Sequence, residues 1–146
     1  MAADLPLIPV STLSALANSV LKHNSECQVL AILDARMDEV YWSVCEAKAQ
    51  GVNLLQPEQV SAPDTVTIIS SALPLIAVGT GLSYQERFPD VTRRHIQRAD
   101  ATCYPRASEM LSLAAIELQQ GRVFSPEKAQ PVYLRDQVAW KKKDQQ

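Results

Sequence analysis

The sequence predicts a mixed α/β domain, and three observations carry the prediction. Leu13, Leu16, Ala17, Val20 and Leu21 repeat at helical spacing, so one helix with a single apolar face opens the chain. Two apolar runs, residues 29–33 and 39–45, flank a short polar bend, which is a hairpin pattern. A further apolar run, residues 75–78, follows a segment with helix-opening signals, as expected of a strand reached by a crossover.

Each element has a local cause. Residues 5–10 are apolar but carry Pro6 and Pro9, which cannot donate ladder hydrogen bonds. They predict an edge strand or an extended lead-in. Ser11 is a suitable N-cap, because its side-chain oxygen can accept an open amide of the next turn, and the helix should run to about His23. A polar break at 24–26 precedes the branched run 29–33, which reads as a buried strand. In 39–45, Val40, Trp42 and Val44 alternate with Tyr41, Ser43 and Cys45, the period of a half-buried strand. Gly51 marks the next turn, and residues 52–55 add a third antiparallel strand.

Pro63 and Asp64 open a short helix with Val66 and Ile69 on its inner side. The strand at 75–78 ends in Gly79-Thr80-Gly81. Residues 82–100 are polar, with one short strand near 92–96. Pro105 opens a helix with Leu111, Ala114, Ala115 and Leu118 along one face, and Gly121 ends it. The remaining tail has Val132-Tyr133-Leu134 as its apolar anchor. The expected division is an α/β domain at 1–125 and an extended tail at 126–146. Strand, helix, three antiparallel strands, helix, strand, helix resembles an RNase H-like layout.

Composition narrows the function classes. The chain has 146 residues, enough for one domain, and its 47% hydrophobic and 21% charged content is ordinary for a globular protein. A net charge of −2 supplies no global field toward nucleic acid or an anionic membrane. Cys27, Cys45 and Cys103 are odd in number and widely spaced, which argues for a reducing compartment and against a disulfide scaffold or zinc site. No apolar run approaches the ~20 residues of a membrane span. Met1-Ala2-Ala3-Asp4 lacks the basic, apolar organisation of a signal peptide. The expected location is the cytoplasm, with no membrane partner.

The most chemically suggestive stretch is Asp34-Ala35-Arg36-Met37-Asp38-Glu39 between the two hairpin runs. An acid at a strand end with another four residues on can hold Mg²⁺, provided more carboxylates converge from other strands. No second strand-end acid is visible, since the run at 75–78 ends in glycine and threonine. The alternative is a turn. Asp34 can accept backbone amides across it, and Asp38 tolerates positive φ. Arg36 can pair with Asp34 or Glu39, or point toward a partner. The turn reading is favoured. His23 and His95 are far apart and form no metal-binding pair, and Ser108 and Ser112 have no neighbouring histidine for a hydrolase. Arg87, Arg93, Arg94, Arg98 and Arg106 make one basic stretch. Lys141, Lys142 and Lys143 beside Trp140 make another, able to contact RNA phosphates and a base.

Asp34-Ala35-Arg36-Met37-Asp38-Glu39-Val40-Tyr41-Trp42 resembles the D-A-R-M-G-E-V-Y-W signature of the bacterial TsaB (YeaZ) family, with Asp38 in place of its glycine. Leu5-Pro6-Leu7-Ile8-Pro9-Val10-Ser11-Thr12-Leu13 resembles that family's entry to its second domain. Val78-Gly79-Thr80-Gly81 resembles its V-G-T-G strand end. Pro131-Val132-Tyr133-Leu134-Arg135 and Val138-Ala139-Trp140-Lys141-Lys142 resemble its P-V-Y-L-R and V-A-W-K-K. The family's first-domain motifs, D-T-x-x and G-P-G-S-F-T-G-x-R, are absent, so the chain is expected to correspond to the second domain.

The resemblance implies an actin-like ATPase (ASKHA) fold that has lost its nucleotide site: a mixed sheet flanked by helices. It implies a non-catalytic scaffold subunit, with no cofactor and no catalytic or metal residue. The partners implied are a TsaD-like catalytic subunit, a TsaE-like ATPase and, as a further state, a homodimer. The complex transfers the threonylcarbamoyl group of threonylcarbamoyl-AMP, making N6-threonylcarbamoyladenosine beside the anticodon of tRNAs that read codons beginning with A. This chain would meet tRNA indirectly, through the complex. Candidate structural or partner-contact residues are Asp34, Arg36, Glu39, Tyr41, Tyr133 and Arg135, and candidate RNA contacts are Lys141, Lys142 and Lys143. Two alternatives stand beside it: a Mg²⁺-dependent RNase H-like nuclease using Asp34, and a stand-alone tRNA-binding module.

Overall fold

In the computed structural model, which describes residues 4–135, Ser11 caps the first helix by accepting the Ser14 amide at 3.2 Å. That helix, α1 (Thr12–Leu21), buries Leu13, Leu16, Ala17 and Leu21. The hairpin is β1 (Gln28–Arg36) and β2 (Glu39–Ala47), and β3 is Val52–Ser61. Beyond these come β4 (Leu75–Val78), α2 (Asp90–His95), β5 (Ile96–Asp100) and α3 (Ala107–Gln119). The sheet order is β3-β2-β1-β4-β5. The three early strands are antiparallel, whereas β4 pairs parallel to β1 and β5 parallel to β4. The sheet is therefore mixed.

Alternation along β1 sorts the core into two layers. Val29 and Ala31 join Cys45, Ile76 and Val78 beneath α1. Leu30 and Ile32 join Val40, Trp42 and Val44 on the other face, under Val66, Ile68, Leu82 and Phe88. Trp42 is 2% exposed, and its indole N–H donates to Ser61 Oγ at 3.0 Å. Fully buried Thr92 ties the second layer down by donating to Val66 O at 2.7 Å. Helix α3 lies on α1, where buried Glu109 accepts from Asn18 Nδ2 at 2.8 Å and from Lys22.

Several expectations are corrected. β3 runs six residues past 55, because Gln56 and Gln59 keep pairing with β2 despite their polarity. The segment at 63–65 is a short 3-10 turn, and Ile68 rather than Ile69 faces inward; Ile69 is 68% exposed. Residues 92–96 are not a strand. The strand starts at Ile96, after α2, and a 3-10 helix at Thr80–Arg87 precedes both. The buried residues of α3 are Glu109 and Leu113, while Leu111 and Leu118 face out, 71% and 57% exposed. The tail is not anchored by Val132 and Tyr133, which are 77% and 74% exposed. Arg135 anchors it instead.

Candidate partner-contact site at the hairpin tip

Arg36 pairs with Glu39 across the hairpin, leaving Met37 and Asp38 as a two-residue loop. Such loops take turns with positive φ at both central residues, because only those match the strand twist. Arg36, Met37 and Asp38 have φ of 60°, 54° and 64°. Asparagine, aspartate and glycine visit this region readily; Arg36 and Met37 each cost about 1 kcal/mol there. Backbone held against its preference persists only where its surroundings over-determine it, and here they do. Asp34 Oδ1 accepts the Arg36 amide at 2.8 Å, and the Asp34 amide donates to Thr80 Oγ1 at 3.0 Å.

Two arginines complete the brace. Arg135 donates to Ala35 O at 3.2 Å and Arg36 O at 3.5 Å, binds the Glu39 carboxylate, and lies 5.9 Å from the Tyr41 ring centroid. It thereby ties the tail to the turn. On the other side Arg87 binds Asp38 at 2.6 Å and Asp64 at 3.0 Å. The expected pairing of Arg36 with Asp34 or Glu39 does not occur. Arg135 occupies Glu39, and Asp34 serves a backbone amide.

The structure thus gathers Asp34, Arg36, Glu39, Tyr41 and Arg135 around one turn. Tyr133 lies exposed two residues before Arg135. Lys141, Lys142 and Lys143 lie outside the described residues. Arg87, Asp64 and Thr80 were missed, because no sequence spacing announces contacts across 23 to 49 positions.

Removing the Arg135 guanidinium should cost about 1–2 kcal/mol, since it leaves carbonyls and a carboxylate at a strained turn without their donor. The check is urea denaturation of Arg135→Ala beside Arg135→Lys. Lysine cannot reproduce the planar fork and should recover less than half the loss.

Asp64 is held below the usual carboxylate range, first by its hydrogen bond from Arg87. A depressed carboxyl contributes stability above its ordinary pKa and loses that contribution as pH falls through the folded value. Carboxyl NMR titration should place Asp64 below an ordinary aspartate, and Arg87→Ala should move it up. Asp100 is also depressed, by the Thr102 hydroxyl foremost. Burial pushes the Cys45 thiol up to about 11, which leaves it a packing group rather than a nucleophile.

Beside the hairpin lie the carboxyl ends of the parallel strands β1, β4 and β5. Open α/β sheets bind ligands in the crevice at such ends. Here Gly79-Thr80-Gly81 crosses over β1. A Cβ on Gly79 would stand 2.1 Å from Ile32 O, and one on Gly81 2.6 Å from Ile32 Cγ1. The Gly79 amide donates to Asp100 O at 3.0 Å. The glycines serve close approach of this segment's backbone to β1. Contrary to the sequence reading, a second strand-end acid exists, Asp100 at the end of β5. Its carboxylate accepts from the Thr102 amide and hydroxyl at 2.9 and 2.7 Å. Among the described residues, no three His, Cys, Asp or Glu side chains gather closely enough to hold a metal ion.

This mixed sheet with flanking helices is the actin-like, RNase H-like ATPase fold. Residues 1–143 match the family described as TsaD: tRNA N6-adenosine threonylcarbamoyltransferase. The chain belongs to that family, within its TsaB/YeaZ group. It is 35% identical over 147 residues to the tRNA threonylcarbamoyladenosine biosynthesis protein TsaB of Escherichia coli, covering 97% of this chain and 62% of that protein. The Haemophilus influenzae protein of the same name is 34% identical over 148 residues, covering 96% and 61%. The solved structure of YeaZ from Pseudomonas aeruginosa superposes with a TM-score of 0.79 at 34% identity, over 88% of this chain and 60% of that one. A second Pseudomonas aeruginosa structure, of a protein similar to peptidase YeaZ, gives 0.80 at 35% identity, over 89% and 59%. The chain thus spans about three fifths of the length of these relatives. No helix among the described residues is long and apolar enough to cross a membrane.

Proposed function

We propose that the chain works as a non-catalytic scaffold in the cytoplasmic formation of N6-threonylcarbamoyladenosine on tRNA, corresponding to the second domain of a TsaB-like subunit. Its partners are a TsaD-like catalytic subunit and a TsaE-like ATPase, and it meets tRNA through them. The observation that carries this reading is the crossing of Gly79-Thr80-Gly81 over β1. Glycines spent on close packing of the backbone against β1 support a structural segment rather than a phosphate-binding loop, and no P-loop lysine follows them. The acids nearby already have partners: Asp34 and Asp100 bind local amides, and Asp38 and Asp64 bind Arg87. What remains for the hairpin tip is display of Arg36 and Met37 on a braced turn, with Tyr133 exposed on the adjoining tail.

The test is co-purification and reconstitution. The chain should bind a TsaD-like protein and raise modified-nucleoside yield in a mixture with the ATPase and threonylcarbamoyl-AMP. Alone, it should hydrolyse no ATP. Asp34→Asn should leave the reconstituted yield within about twofold. Mg²⁺-dependent RNA cleavage by the chain alone, abolished in Asp34→Asn, would instead establish the nuclease alternative.

A further inference from the structure

Helices α1 and α3 and the turn from β2 to β3 do not close completely on one another. The turn is tight: the Lys48 amide donates to Gly51 O at 3.3 Å, and Gly51 has a φ of 90°. It leans on α3, where a Cβ on Gly51 would stand 3.5 Å from Ile116 Cδ1, and Gln120 Nε2 donates to Gln50 Oε1 at 3.4 Å. Short side chains, Ala47 on β2 and Ser112 on α3, leave the space behind the turn unfilled. The result is a cavity of about 440 Å³, open to solvent. Small-molecule sites ordinarily have volumes of about 300–1,000 Å³.

Three kinds of group line it. The first is Asn18, only 8% exposed. The Glu109 carboxylate can only accept hydrogen bonds, so the Asn18 amide nitrogen faces it, at 2.8 Å. The Asn18 Oδ1 atom is left over. It accepts no hydrogen bond among the described residues and keeps access to solvent, which it reaches through the cavity. The second group is Lys48, exposed and in no ion pair among the described residues. Glu117 lies in its field, but Arg122 holds that carboxylate, donating at 2.7 Å. Lys22 also lines the space, but its charge is matched by Glu109. The third group is apolar: buried Leu21 and half-buried Ile116.

We propose that this cavity binds a small carboxylic acid that also carries a hydrogen-bond donor, an amino acid or hydroxy acid with an apolar side chain. Its carboxylate pairs with Lys48, whose four-carbon stem lets the ammonium reach over the opening. Its amine or hydroxyl donates to Asn18 Oδ1, and its side chain lies against Leu21 and Ile116. The C-terminal end of α1, beside Asn18, carries partial negative charge, which favours an amine as the donor. An open acceptor and an open cation in one hollow select a ligand with both complements, because a molecule lacking either leaves one of them unpaired. The inference goes beyond the proposed scaffold role and does not depend on it.

Titrating the ¹⁵N-labelled full chain with L-leucine should shift the amides of residues 48–51, Ser112 and Ile116 together, with a dissociation constant on the order of 1 mM for a ligand this small. 4-Methylpentanoate, which lacks the amine, and leucinamide, which lacks the carboxylate, should each bind about tenfold more weakly. 2-Hydroxy-4-methylpentanoate binding more tightly than leucine would make a hydroxyl the donor and uphold the site. Lys48→Met should weaken leucine about tenfold, and Ser112→Trp should abolish binding by filling the space. Both positions are exposed, so both variants should keep the wild-type circular dichroism melt. No shift with leucine or its hydroxy analogue up to roughly 50 mM would overturn the proposal. So would shifts that survive Lys48→Met unweakened, or 4-methylpentanoate binding as tightly as leucine.

Discussion

Gly79→Ala will destabilise the domain by at least about 3 kcal/mol, a cost reserved for substitutions that break a special backbone geometry or a core. Two costs add. The residue has φ 117° and ψ 172°, a region essentially confined to glycine. A Cβ there would also lie 2.1 Å from Ile32 O and 2.8 Å from Leu16 Cδ2. The leucine methyl can swing aside, but the carbonyl belongs to β1 at the centre of the sheet and cannot. Relief therefore requires the crossing to lift off β1, which breaks the Gly79 amide bond to Asp100 O and the Thr80 bond to the Asp34 amide. Gly121→Ala is the internal control. Its φ is also positive, at 72°, but nothing lies within 4 Å of its Cβ, so it should cost only about 1 kcal/mol. Chemical denaturation of the two variants separates contact from conformation. Equal losses would mean that the close approach at Gly79 contributes nothing.

That crossing depends on contacts far apart in the sequence, unlike the local features of the fold. The hairpin, the N-cap at Ser11 and the buried strand at Leu75–Val78 were legible, because each rests on local periodicity or a local hydrogen bond. The left-handed conformation at Asp38 was legible for the same reason. The function of the glycines at 79 and 81 was not, since the atoms they approach lie some 47 positions earlier, on β1. Arg87 and Arg135 escaped for an equivalent reason. Each braces the turn from a distant segment, while the nearer cation, Arg36, pairs with no carboxylate among the described residues. The segment 82–100 misled because a 3-10 helix and a six-residue α-helix are too short to show a repeat. Helix α3 misled in the opposite way. Its most regular apolar stripe, Leu111, Ala114, Ala115 and Leu118, is legible in the sequence, but its direction is not: Glu109 and Leu113 are the residues buried against the domain.

Glu109→Ala should cost about 2–4 kcal/mol and should act locally, on α3. The Glu109 side chain is 4% exposed, and its two oxygens serve Asn18 on α1 and Lys22 at that helix's C-cap. Removing one partner of a buried polar cluster is costly chiefly because of what stays behind. Lys22 can turn to solvent, being 42% exposed, but Asn18 is only 8% exposed and would keep an amide without an acceptor. Glu109→Gln retains one acceptor oxygen and the side-chain shape, so its loss should be smaller, about 1–2 kcal/mol. Because α3 lies on α1 and not in the sheet, hydrogen exchange should quicken along residues 107–119 while the amides of β1 and β4 keep their protection. Uniform loss across the sheet would show that α3 unfolds only with the whole domain. An unchanged α3 would show that Leu113 and Ile116 hold it without the carboxylate. Lys22→Met tests the apportionment. If the burial of Glu109 is tolerated only because Lys22 is near, Lys22→Met alone will be costly, whereas the double variant with Glu109→Met will lose little more than Glu109→Ala, since it removes both charges but still leaves Asn18 without its acceptor.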